Sequence, residues 1–123
     1  FERIEIPLDD NSTVPVDICM EFSAASVRES APLLVLLAGV GGDSDAKYVR
    51  HMCHAASEHG WMSVVIAPRG LGNHVVEDCK HIFNPCDLTP VHRAITFLAS
   101  ASPASPLFGV GFSMGGCMYC NYL

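Results

Sequence analysis

The chain has 123 residues, half of them apolar and 16% charged, enough for one small domain with a buried core and too apolar for a disordered segment. Its net charge of −6 and its lack of a Lys/Arg stripe exclude a nucleic-acid footprint. The longest apolar run, residues 32–40, has the length of a buried strand and falls far short of a membrane span.

The predicted elements follow in chain order. Residues 3–8 alternate loosely and end at the turn Asp9-Asp10-Asn11-Ser12, and residues 14–22 resume as a strand, so the opening is an antiparallel pair. After a polar connector over 23–31, residues 32–37 are apolar on both faces, as in a central parallel strand. The glycine-rich loop Ala38-Gly39-Val40-Gly41-Gly42 follows. Asp43 or Ser44 offers an N-cap for a helix to about His59, with Val49, Met52, Cys53 and Ala56 on its apolar face and Gly60 as its C-cap.

Residues 61–67 form another β-branched strand, and residues 68–85 are the longest irregular stretch. Asp87 caps a helix whose Leu88, Val91, Ile95 and Leu98 make one stripe, with Pro90 tolerated in the first turn. Residues 102–106 turn, and a last apolar strand runs into Gly111-Phe-Ser113-Met-Gly115-Gly116 and a helix. The order β-β-β-α-β-α-β-α implies an α/β fold in which an antiparallel start feeds parallel βαβ units.

Gly-x-Ser-x-Gly between a strand and a helix is the pattern of a nucleophile elbow, a strained turn that lifts one serine hydroxyl above the sheet. Ser113 is the candidate nucleophile, with Gly111 and Gly115 small because a Cβ there would collide across the turn. Acyl transfer also needs donors for the developing oxyanion. The candidates are the backbone N–H of Met114, at the start of the following helix, and that of Val40, in the loop after the third strand.

Other motifs weigh less. Residues 38–42 lack the Gly-Lys-Ser/Thr ending of a phosphate loop, and Arg69-Gly70-Leu-Gly72 reads as a shaped loop. Gly109-x-Gly111-x-x-x-Gly115 is a loosened dinucleotide fingerprint, but it follows four strands instead of opening the fold. His51-x-Cys53-His54 does not converge on a metal, so no metal is expected. The six cysteines read as reduced thiols, with Cys117 and Cys120 facing the sheet as small apolar side chains. That usage leans intracellular, and the localisation expected is cytoplasmic or membrane-associated.

Several segments together resemble the α/β-hydrolase superfamily, and within it the YheT-like, embryogenesis-associated abhydrolase-domain esterases and lipases. They are residues 38–42, Tyr48-Val49-Arg50-His51, Arg69-Gly70-x-Gly72, Phe83-Asn84-x-x-Asp87, residues 111–116 and the terminal Tyr122-Leu123. Ala38, Met114 and Cys117 depart from the residues usual at those places.

The resemblance implies cofactor-free hydrolysis of carboxylic esters, acylglycerols or other lipid-like acyl substrates, with Ser113 as nucleophile and Val40 and Met114 at the oxyanion hole. It also implies an Asp or Glu and then a His after the serine, and only ten residues follow Ser113 here. Phe1 is not an initiator methionine and no signal peptide opens the chain. Residues 1–123 are therefore expected to be the amino-terminal part of one hydrolase domain, inactive alone, with any membrane attachment in segments outside them. The alternative is a non-catalytic remnant or interaction module of the same fold.

Overall fold

In the computed structural model, residues 1–20, 30–67 and 83–123 are described. Among the described residues eight elements follow one another: β1 (Glu2–Pro7), β2 (Thr13–Ile18), β3 (Leu33–Leu37), α1 (Lys47–Glu58), β4 (Met62–Ile66), α2 (Thr89–Ala101), β5 (Leu107–Gly111) and α3 (Met114–Tyr122). The sheet order is β1-β2-β4-β3-β5. β1 and β2 pair antiparallel, β2 meets β4 antiparallel, and β3 runs parallel to both β4 and β5. The element order and the α/β class match the sequence expectation.

β3 is apolar on both faces because both are covered. Leu34, Leu36 and Ala38 pack with Val49, Cys53 and Ala56 of α1, while Leu33, Val35 and Leu37 pack with Val91, Ala94 and Leu98 of α2 and Met118 of α3. All five β3 residues are buried. Burying one such side chain contributes about 1.5–3 kcal/mol, so this strand anchors both layers.

Two helix starts differ from expectation. α1 begins at Lys47 with Ala46 as N-cap and no side-chain cap, because the Ser44 hydroxyl is drawn away to Asp17 and Asp43 Oδ1 accepts the Asp45 N–H instead. α2 begins at Thr89, and Asp87 stands one residue ahead of the cap, with its Oδ1 accepting the Thr89 N–H. The end of α1 is as read. Gly60 takes φ +73°, its N–H donates to the Ser57 carbonyl and that of Trp61 to the Ala56 carbonyl, the double bond of a Schellman cap.

Cys117 and Cys120 are exposed, contrary to expectation. Gly115, Met118, Tyr119 and Tyr122, spaced i, i+3, i+4, i+7, take the sheet-facing side of α3, so positions 117 and 120 fall on the other. Cys19 and Cys53 are buried thiols and Cys86 is exposed. Cys79, the Arg69–Gly70–Gly72 segment, the connector over 23–29, most of the 68–85 stretch and the last four residues of the predicted second strand's span, 19–22, lie outside strands or outside the described residues. No described helix is long and apolar enough to cross a membrane.

The connections create a crevice. β3 and β5 are neighbours, yet the chain leaves β3 toward the face covered by α1 and leaves β5 toward the face covered by α3. Adjacent parallel strands whose exits diverge form a topological switch point, where open α/β sheets place their ligands.

Candidate active site

Ser113 lies at that crevice, as the N-cap of α3 immediately past the end of β5. Its backbone takes φ 52° and ψ −115°, a region a residue with a Cβ occupies at a cost of about 1–3 kcal/mol. The side chain is exposed. The turn closes on itself: Gly115 N–H donates to the Phe112 carbonyl at 2.9 Å, and Phe112 N–H donates to the Leu37 carbonyl at 2.9 Å, fastening the turn to the end of β3.

The glycines on either side are sterically required, for two different reasons. A Cβ at Gly111 would lie 2.4 Å from the Gly115 carbonyl carbon and the Gly116 nitrogen, a collision across the turn. A Cβ at Gly115 would instead lie 2.3 Å from the Leu37 oxygen, because α3 begins directly against β3. The second contact is a tertiary one, which the spacing within the motif does not reveal.

The loop after β3 comes to the same place. A Cβ at Gly39 would sit 3.4 Å from the Ser113 Cβ and 3.4 Å from the Phe112 oxygen. Gly42 N–H donates to the Gly39 carbonyl at 3.0 Å, and Gly41 has φ +70°, so residues 39–42 make a type II turn with Val40 at its second position. Val40 is 77% exposed. The turn uses the N–H of Gly42 and leaves that of Val40 without a described acceptor, and the Met114 N–H at the first position of α3 has none either. Both N–H groups are thus open to an acceptor oxygen.

The open depression around Ser113 is lined by Pro85, Cys86, Met114, Cys117, Met118 and Asn121. No described histidine lines it: His51, His54 and His59 belong to α1 or its end, His92 to α2, and His74 and His81 lie outside the described residues. Beside it, between the carboxyl ends of β3 and β4 and the start of α2, Ala38, Ala67, Phe83, Asp87, Val91 and Met114 line a cavity of about 30 Å³. The described residues hold no cluster of three or more metal-ligating side chains.

No family model matches the chain. It is 35% identical over 117 residues to phospholipase ABHD3 of Homo sapiens, which covers 94% of this chain and 25% of that protein. To the embryogenesis-associated protein EMB8 of Picea glauca it is 30% identical over 94% of this chain and 26% of that protein. A solved alpha-beta serine hydrolase homologue from Coxiella burnetii superposes over 98% of this chain and 56% of its own, with a TM-score of 0.73 at 16% identity. The chain has the α/β-hydrolase fold and is similar in sequence to abhydrolase-domain proteins. It spans about a quarter of the length of these two curated relatives.

The chain also carries polar side chains that hold the two ends of the loop after β3 and that sequence reasoning passed over. Gly39 N–H donates to the Tyr48 hydroxyl at 3.0 Å, and the Tyr48 ring meets Phe112 with centroids 4.7 Å apart. Asp17, 2% exposed in β2, receives Arg3 Nε at 2.6 Å and Nη2 at 2.8 Å, and Ser44 Oγ at 2.6 Å. Burial by itself raises the Asp17 pKa, but the Arg3 and Ser44 hydrogen bonds outweigh it and hold the carboxyl below its ordinary range. A lone acid within Val14-Pro15-Val16-Asp17-Ile18 was the available signal, since buried charges are normally paired. Tyr48 gave none apart from its place in a resembling segment.

Proposed function

We propose that this chain supplies the nucleophile and oxyanion hole of a serine hydrolase that cleaves carboxylic esters of lipid-like acyl groups. The observation that carries the reading is the exposed Ser113 at positive φ, held at the switch point against Gly39, with the Val40 and Met114 amides of the two adjoining turns open. In this reading residues 111–115 are a nucleophile elbow. Ser113 Oγ attacks the ester carbonyl carbon while its proton passes to a general base, and the carbonyl oxygen becomes an oxyanion held by the Val40 and Met114 N–H groups. Collapse expels the alcohol, which takes the proton from the base; water then attacks the acyl-serine by the same route and frees the carboxylic acid.

The proposal assigns the base and the acid that orients it to residues outside these 123. What supports that is that the chain spans only about a quarter of the length of its two curated relatives. An ester with an apolar acyl chain fits the lining of Pro85, Met114 and Met118, and one relative bears the name phospholipase. Residues 1–123 are then the amino-terminal part of a single hydrolase domain, catalytically incomplete alone.

A fluorophosphonate probe on the whole protein tests this reading. Labelling of the wild type and its loss in Ser113→Ala is the expected result. A folded protein that takes no label would favour the non-catalytic member of the fold instead.

A further inference from the structure

The amides of an oxyanion hole are useful only if the two segments that carry them keep a fixed separation, because misplacement by about 1 Å costs on the order of a hundredfold in rate. Here the segments belong to different elements: Val40 to the turn after β3, and Met114 to the start of α3. Their separation is not set by either turn alone.

One side chain touches both. The Tyr48 hydroxyl accepts the Gly39 N–H at 3.0 Å, at the residue before Val40. The same oxygen lies within the curve of the turn, where a Cβ at Gly42 would come within 2.3 Å of it. Its ring rests on Phe112, two residues before Met114, at 4.7 Å and an interplanar angle of 58°. Phe112 is itself hydrogen-bonded through its backbone to Leu37 and Gly115. Tyr48 nevertheless remains 39% exposed, more than a residue retained for core packing needs.

The far end of the turn is tied separately. Ser44 is buried and donates to Asp17, which Arg3 holds through two nitrogens. The segment from Gly39 to Ser44 is therefore pinned at both ends while Val40, between them, stays exposed.

We propose that Tyr48 is a positioning residue for catalysis: its phenol oxygen and its ring set the distance between the turn bearing Val40 and the turn bearing Ser113. The proposal rests on the serine-hydrolase reading above. Tyr48→Phe separates the two roles of the side chain, since it keeps the ring on Phe112 and removes the acceptor of the Gly39 N–H.

The test uses the whole protein and three measurements: hydrolysis of a p-nitrophenyl acyl ester, affinity for an acyl trifluoromethyl ketone, and melting temperature. The ketone adds to the serine as a tetrahedral oxyanion and so reports the hole directly, whereas KM, with an ester for which acylation limits turnover, reports ground-state binding. In Tyr48→Phe, kcat should fall between about tenfold and a hundredfold, ketone affinity should weaken by a comparable factor, and KM should stay within about twofold. Ser44→Ala, which loosens the other end without touching Tyr48, should give the same pattern more weakly. An unchanged kcat and ketone affinity in Tyr48→Phe, or a change confined to KM or to melting, overturns the proposal and leaves Ser113 as nucleophile. Wild-type turnover that survives Ser113→Ala overturns the underlying reading, and this proposal with it.

Discussion

Ser113 occupies a backbone region that alanine and serine dislike equally and glycine does not. That distinguishes strain held for a purpose from a turn that merely contains a serine. Replacing it with Ala removes the hydroxyl and keeps the strain; replacing it with Gly removes both. Glycine also widens the unfolded ensemble, which offsets part of the relief. We expect Ser113→Gly to be more stable than Ser113→Ala by about 1 kcal/mol, read as the difference in their urea midpoints. Equal midpoints, or a less stable glycine variant, would show that the turn stores no strain at this position. At the same scale the sequence was informative about which residues matter in the motif but not about why. Gly111 is small for a local reason, visible in the spacing, and Gly115 is small because Leu37 lies against it, a contact that exists only once β3 and β5 are neighbours.

At the scale of elements, the N-terminal hairpin does more than extend the sheet. β1 supplies Arg3, β2 supplies Asp17, and together they hold Ser44 and hence the segment that leads from β3 into α1. Because the native Asp17 pKa lies below that of an unfolded aspartate, about 3.9, the unfolded chain binds more protons in acid. The stabilisation from Asp17 is thus whole above about pH 5 and is lost as the pH falls through the lower native value. Asp17→Asn should lower stability at pH 7 by about 2 kcal/mol or more and flatten the loss of stability below about pH 5, measured by denaturant titration at each pH. An acid slope identical to that of the wild type would show that Asp17 is not among the groups that set it.

The same network explains what could be read at this scale and what could not. Helix α1 was legible from Val49, Cys53 and Ala56, because its periodicity is a property of the segment itself. Its start was not, since a tertiary partner, Asp17, takes the hydroxyl that would have capped it. The sheet-facing side of α3 was also hidden. Gly115 and Gly116 offer no apolar side chain to mark a stripe, and Tyr119, whose hydroxyl donates to the Val35 carbonyl from above Gly109, was not an obvious core residue. Burial raises the Tyr119 pKa, so that hydroxyl stays protonated and keeps donating.

For the whole molecule, strand types and their sequence were legible, but the spatial order β1-β2-β4-β3-β5 depends on pairings between distant segments. That order is what makes a site. With β3 between β4 and β5, the exits of β3 and β5 diverge, and the two turns bearing Val40 and Ser113 face one another across the gap. The chemistry proposed for the site was legible from five residues of sequence; the crevice between the diverging exits of β3 and β5 was not. The central claim is therefore geometric: one oxygen bound to Ser113 must meet two amides from different elements. A crystal structure of the whole protein after reaction with an alkyl fluorophosphonate tests it most directly. The predicted result is a phosphorus on Ser113 Oγ with one non-ester oxygen within about 3.1 Å of both the Val40 and Met114 nitrogens. A phosphonyl group on another residue, or one on Ser113 whose oxygens approach neither amide, would contradict it.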